Sequence, residues 1–161
     1  MPASYKRIHV IINPASGKNQ PILNVINDVC QQYDVAWDAT VTHKYGDATA
    51  QARAAIAAGV DLIAGYGGDG TQHEVANAIL SSPRQIPLAI LPGGTGNGFC
   101  RENGVPDVLE AAVELMCTSD KRRQDLAERN SFSRSVQSSG SSNRSANCCT
   151  QNLTRAVSRR S

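Results

Sequence analysis

The chain has 161 residues, enough for one ordinary domain and short for two. Hydrophobic residues make up 40% and charged residues 19%, which suits a packed core, while aromatics at 4% exclude a stacking platform for single-stranded nucleic acid. The net charge of +2 hides an asymmetry: Met1 to Thr118 carries 7 Lys/Arg against 11 Asp/Glu, and the remainder from Ser119 carries 9 against 3. Opposite signs of this kind divide a chain into units of different character. No apolar run approaches the roughly 18 residues needed to cross a bilayer. The start, Met1-Pro2-Ala3-Ser4-Tyr5-Lys6, lacks the apolar stretch of a secretory signal. The expectation is a cytoplasmic protein with no transmembrane segment and no nucleic-acid partner.

In chain order, Arg7 to Ile12 reads as an apolar strand ending at Asn13-Pro14. Ile22 to Cys30 has a helical pattern with Ile22, Val25, Ile26 and Val29 on one face. Val35 to Thr42 alternates as a second strand. Asp47 to Ala58 is an alanine-rich helix stopped by Gly59. Asp61 to Gly65 is a third strand, followed by a helix whose predicted buried stripe is Val75, Ala76, Ile79 and Leu80. Ile86 to Leu91 is a fourth strand. Pro106-Asp107 opens a last helix, with Glu110 at a capping-box position and Leu109, Val113 and Met116 buried. Apolar strands alternating with helices predict an α/β fold, a layered, mostly parallel sheet flanked by helices on both faces.

The pattern ends near Glu128. Ser131 to Ser161 holds ten serines, five arginines and no acidic residue, a composition too polar to offset chain entropy. Residues 1–128 are therefore expected to form the domain, and 129–161 a disordered Ser/Arg-rich tail without the amphipathic pattern of a membrane-binding segment. The five cysteines, Cys30, Cys100, Cys117 and the vicinal pair Cys148-Cys149, show neither a zinc spacing nor a disulfide framework. They fit a reducing compartment.

Three glycine-bearing polar loops each follow an apolar strand: Asn13-Pro14-Ala15-Ser16-Gly17-Lys18, Gly67-Gly68-Asp69-Gly70-Thr71 and Gly93-Gly94-Thr95-Gly96-Asn97. Glycine lets backbone N–H groups approach phosphate oxygens, and a following helix N-terminus adds favourable potential. Thr71 and Thr95 offer hydroxyls to the same oxygens, although Thr71 with Glu74 also spells a capping box. Gly65-Tyr66-Gly67-Gly68-Asp69-Gly70 matches the dinucleotide fingerprint, but no Asp or Glu stands between Glu74 and Glu102 to bind a ribose. Ser16-Gly17-Lys18 lacks the earlier glycine and the following Ser/Thr of a phosphate-binding P-loop. Asp69 is either a helix N-cap or a working carboxylate. A carboxylate beside phosphate needs a divalent cation between them or a proton of its own, which suits phosphoryl transfer better than hydride transfer.

The ordered blocks Asn13-Pro14-x-Ser16-Gly17-Lys18, Thr42 with Thr49-Ala50, Gly67-Gly68-Asp69-Gly70-Thr71-x2-Glu74-Val75-x-Asn77-Ala78 and Leu91-Pro92-Gly93-Gly94-Thr95-Gly96-Asn97 resemble the catalytic domain of diacylglycerol kinases. Sphingosine kinases and bacterial lipid kinases share this domain. The resemblance covers about Lys6 to Glu128 and implies a nucleotide-binding fold like that of NAD kinase and phosphofructokinase. It further implies ATP and Mg2+ as cofactors and a lipid substrate at a membrane surface, with the protein peripheral there. The residues implied to bind the nucleotide are Asn13, Pro14, Ser16, Gly17, Lys18, Thr42, Gly67, Gly68, Asp69, Gly70, Thr71, Gly94, Thr95 and Asn97. Asp69 is implied to be catalytic, and no side chain is assigned as a metal ligand.

Two positions depart from the family's habit: Tyr66, where a small residue is common, and His73, where Asn is common. His9 is expected to serve packing, His43 to be surface, and Phe99 to sit in a short helix. Family members continue past a segment like Arg122-Arg123-Gln124-Asp125-Leu126 into a second, mostly β domain. Here the serine-arginine tail follows, and a frameshift near Glu128 to Phe132 is the expected origin. The reading is thus an ATP-dependent lipid kinase domain transferring the γ-phosphoryl group to a lipid hydroxyl, diacylglycerol- or sphingoid-like, impaired in this chain. Its alternatives are a non-catalytic nucleotide-binding fragment, an NAD(P)-dependent oxidoreductase or an NAD kinase.

Overall fold

The computed structural model describes residues 5–16 and 19–119. Gly17, Lys18, Cys148, Cys149 and everything expected of residues 120–161 lie outside the described residues. The elements run β1 (Arg7–Ile12), α1 (Ile22–Gln32), β2 (Ala36–Val41), α2 (Asp47–Ala57), β3 (Leu62–Gly67), α3 (Asp69–Leu80), β4 (Leu88–Pro92), α4 (Gly98–Glu102) and α5 (Leu109–Thr118). The four strands form one parallel sheet in the order β2-β1-β3-β4.

Because successive side chains of a strand point to opposite faces, the apolar strands feed two cores. Ile8, Val10 and Ile12 of β1 and Leu62, Ala64 and Tyr66 of β3 pack beneath α1 and α5. Ile11 and Ile63 point the other way and pack beneath α2 and α3. Each of these isoleucines is fully buried, which contributes about 1.5–3 kcal/mol per side chain. The α/β class and the helices on both faces follow from this division. On the α1/α5 side Cys30 and Cys117 are both buried free thiols. The Cys30 thiol is pushed up by its hydrogen bond to Cys117 and then by burial, so it packs as a neutral group.

Several expectations need correction. β2 is an edge strand and mostly exposed, so it is not covered on both faces. Leu80, assigned to the buried stripe of α3, is 37% exposed, while Thr71, Gln72 and Ala78 are buried instead. The reason lies in β3: Gly65 and Gly67 have no side chains, so α3 settles onto them. A Cβ on Gly65 would come within 2.5 Å of the Gln72 side chain, and one on Gly67 within 2.6 Å of Thr71 Oγ1. That close seating turns the first turn of α3 inward and its last residue out. Helix α5 begins at Leu109 with Val108 as its N-cap and no side-chain cap, so Glu110 forms no capping box and Asp107 does not open the helix. His9 is more than packing. It is 7% exposed, and its ring joins the Asp38 carboxylate through Nδ1 and Thr40 Oγ1 through Nε2 at 2.9 Å, tying β1 to β2.

Candidate active site

All four strands are parallel, so their carboxyl ends share one edge of the sheet. The chain leaves β1 toward β2 on one side and later toward β4 on the other, which opens a crevice between β1 and β3. The loop after β1 is stitched across that crevice. The Asn13 N–H donates to Tyr66 O at 2.9 Å, and Asn13 Nδ2 donates to Thr71 Oγ1 at 3.0 Å. Asn13 Oδ1 accepts the Ala15 N–H, and Ser16 Oγ donates to Asn13 O at 2.6 Å. Pro14 is exposed in the same turn. Thr42, at the end of β2, is buried and leans on β1, its N–H and Oγ1 both reaching Ile12 O.

The second and third loops are packed backbone to backbone. A Cβ on Gly93 would lie 2.8 Å from Gly67 N, and one on Gly94 would lie 2.6 Å from Gly68 Cα. Only glycine permits that approach at either position. Above the contact the surface is open: a Cβ on Gly70 or Gly96 meets nothing within 4 Å. Gly68 is the N-cap of α3 and no side chain caps the helix, so its first N–H groups face this opening. Thr95 and Gly96 are exposed beside it.

Neither alternative role for a capping residue survives. Thr71 is inside α3, and Glu74 turns away to accept the Gly46 N–H at 3.0 Å, so the two make no capping box. Asp69 is the first residue of α3, not its cap. Its Oδ1 accepts the Phe99 N–H at 3.1 Å from the start of α4, and its Oδ2 lies 3.1 Å from where a Gly98 Cβ would stand. Asp69 thus bridges the second and third loops while its carboxylate stays exposed.

Asn97 is held more tightly. It is 4% exposed in a left-handed conformation, φ 46°. Its Oδ1 accepts the Gly94 N–H at 2.9 Å and its Nδ2 donates to Asp107 Oδ1 at 2.9 Å. Both ends of the amide are occupied, so Asn97 shapes the third loop from below. Asn13 does the same for the first. The structure therefore brings Asn13, Gly67, Gly68, Asp69, Gly70, Thr71, Gly94, Thr95 and Asn97 to one edge, with Thr42 at the neighbouring strand end.

Glu74, Asp107 and the Phe99 N–H escaped the sequence reading as site-shaping groups. The Glu74 spacing in its motif was visible, but its partner, Gly46, lies 28 residues away. Asp47 supports the same region by accepting the His43 and Lys44 N–H groups, which hold its carboxyl below the usual range. Beneath the site, Tyr66 is 3% exposed, its hydroxyl has no partner among the described residues, and burial pushes its phenol up. No three His, Cys, Asp or Glu side chains cluster as a metal site among the described residues.

An open glycine cradle at a helix N-terminus, with one exposed carboxylate at its lip, fits nucleotide phosphates accompanied by a divalent cation. It lacks the acidic ribose ligand of a dinucleotide site. Comparison with known proteins gives the family. The sequence profile of the diacylglycerol kinase catalytic domain matches residues 7–129. The chain is 34% identical over 129 residues to a diacylglycerol kinase of Staphylococcus saprophyticus, covering 78% of this chain and 42% of that protein. It is also 34% identical over 128 residues to one from Staphylococcus epidermidis, covering 78% and 40%. A crystal structure of a diacylglycerol kinase from Bacillus anthracis superposes with a TM-score of 0.64 at 33% identity, over 70% of this chain and 40% of that one. The chain thus spans about two fifths of the length of these relatives. With its fold, its ordered loops and these matches in agreement, the chain belongs to the diacylglycerol kinase catalytic domain family, a family of lipid kinases.

Proposed function

We propose that this chain is the nucleotide-binding part of a lipid kinase, carrying the γ-phosphoryl group of ATP to the hydroxyl of a diacylglycerol- or sphingoid-like lipid at a membrane surface. The observation that supports this most is Asp69: an exposed carboxylate anchored by one oxygen, at the lip of two interlocked glycine loops. Gly68 to Thr71 and Gly94 to Gly96 would hold the phosphates through backbone N–H groups. Gly17 and Lys18 belong to the same proposed set. Mg2+ arriving with ATP supplies the positive charge that lets phosphate sit beside Asp69.

The chain's own part is positioning. The Phe99 N–H fixes Asp69 Oδ1, which leaves Oδ2 to accept a hydrogen bond from the acceptor hydroxyl and take its proton as the new O–P bond forms and the bond from the γ-phosphorus to the departing ADP breaks. Asn13 holds Thr71 Oγ1 as an acceptor, so the single Thr71 proton is left to donate. Asn97 holds the Gly94 N–H in place. No helix among the described residues is long and apolar enough to cross a membrane.

Turnover by the 161-residue chain alone is expected to be slow, because it matches only about two fifths of the length of its relatives. Radiolabelled ATP with vesicles of mixed lipid extract tests the reading. The expected result is slow lipid phosphorylation that falls at least about a hundredfold in Asp69→Ala, the scale of a lost general base. Phosphorylation that survives Asp69→Ala would overturn the role given to Asp69. ATP binding with no lipid product would favour the second reading, a non-catalytic nucleotide-binding fragment, which the two-fifths coverage makes worth testing. An oxidoreductase is disfavoured by the missing acid between Glu74 and Glu102.

A further inference from the structure

Asp69 and His73 stand four residues apart on α3, so they share one face a single turn apart. Helical side chains lean back toward the N-terminus, which sets the His73 imidazole over the turn that carries Asp69. Phe99 closes the same corner from α4. Its N–H donates to Asp69 Oδ1, while its ring meets the His73 ring edge-on, centroids 5.1 Å apart and planes at 77°. One residue therefore braces both side chains. His73 is half-buried and belongs to neither core, and the described residues offer its ring nitrogens no hydrogen bond. A braced imidazole with both nitrogens unengaged, beside an exposed carboxylate, is placed to meet a ligand.

We propose that His73 contacts the phosphate on the acceptor side of the site, donating a hydrogen bond to the phosphate monoester of the phosphorylated product. The inference rests on the reading of Asp69 as the group that meets the acceptor hydroxyl. The hydroxyl that approaches Asp69 Oδ2 carries the new phosphate once transfer is complete. His73 lies over that turn on the α4 side, whereas the nucleotide phosphates would lie in the opening above the contact between Gly68 and Gly94, beside Gly70 and Gly96. His73 thus helps the site hold its product and distinguishes the phosphorylated acceptor from the bare alcohol.

The chain has three histidines, His9, His43 and His73, so ring 1H–13C NMR of the full 161-residue chain resolves them once each is replaced by Gln for assignment. Backbone amides are followed in the same samples. Mg-ADP is added first, then sn-glycerol 3-phosphate, with inorganic phosphate and glycerol as separate arms. The expected result is that Mg-ADP shifts the Gly68 and Gly94 amides, and glycerol phosphate then shifts the His73 ring while glycerol does not. His73→Gln should weaken glycerol phosphate about fivefold to tenfold and change Mg-ADP affinity by less than about twofold, the scale of one hydrogen bond to a charged group. A still His73 signal, with the Mg-ADP shifts present, overturns this inference and leaves the nucleotide reading standing. Inorganic phosphate moving His73 as strongly without nucleotide would show a general anion contact and overturn the product-side assignment. Absence of any Mg-ADP shift would overturn both. The ring shift in the unsubstituted chain decides the matter even where His73→Gln fails to fold.

Discussion

Asn97 combines three constraints in one residue: a left-handed backbone, burial, and an amide engaged at both ends by Gly94 and Asp107. Replacing it with Ala would leave the Gly94 N–H buried without its acceptor and place a Cβ residue at positive φ with no compensating hydrogen bond. Asn97→Ala is therefore expected to lose about 2–3 kcal/mol in urea unfolding, and to weaken nucleotide binding as the third loop relaxes. Tyr66 is the opposite case. Its buried hydroxyl has no partner among the described residues, so Tyr66→Phe should raise stability by about 1 kcal/mol in the same measurement. A loss of stability would mean that the hydroxyl has a partner. The glycines, Asp69 and Thr71 were legible in sequence because their residue types carry the chemistry. The work of Asn97 and Asn13 was only half legible: the motif put them at the site, but which way an amide turns depends on Asp107 and Thr71, ten and 58 residues distant.

The helices and strands followed their hydrophobic periods, and Gly59 at φ 82° ends α2 where its position predicts. Two kinds of feature were hidden. Val35 to Thr42 alternates, which marks one exposed face, but that the strand also lies at an edge and is mostly exposed appeared only with the strand order. Capping signatures failed at α3 and α5 because tertiary partners took the capping side chains: Gly46 took Glu74, and Asn97 took Asp107. The segment from His43 to Gly46 shows how an element is entered without a standard cap. Asp47 Oδ2 accepts two N–H groups there, and its carboxyl is held below the usual value of 3.8, chiefly by the His43 N–H and then by the Lys44 N–H. A depressed folded value means that the stabilisation is present above pH of about 4 and fades as pH falls through the lower folded value. Urea titrations across that window should show stability falling with acid, with a smaller slope in Asp47→Asn. An equal slope in the variant would remove Asp47 from the account.

At the scale of the molecule, parallel strands gather four loops on one edge, and the strand order places a crevice there between β1 and β3. Glycine at positions 65, 67, 93 and 94 then serves two purposes that sequence alone does not separate. Gly65 and Gly67 let α3 seat on the sheet; Gly93 and Gly94 let the third loop lock onto the second. The result is an open glycine cradle with Asp69 at its lip, which the proposed function assigns to phosphate with a divalent cation. The most direct measurement is calorimetric titration of the full chain with ATP, with and without Mg2+, and with NAD as the rival ligand. The account predicts ATP binding that strengthens at least about tenfold with Mg2+, no heat from NAD, and loss of most of the Mg2+ effect in Asp69→Asn. Binding of NAD in preference to ATP, or ATP binding indifferent to both Mg2+ and Asp69, would contradict it.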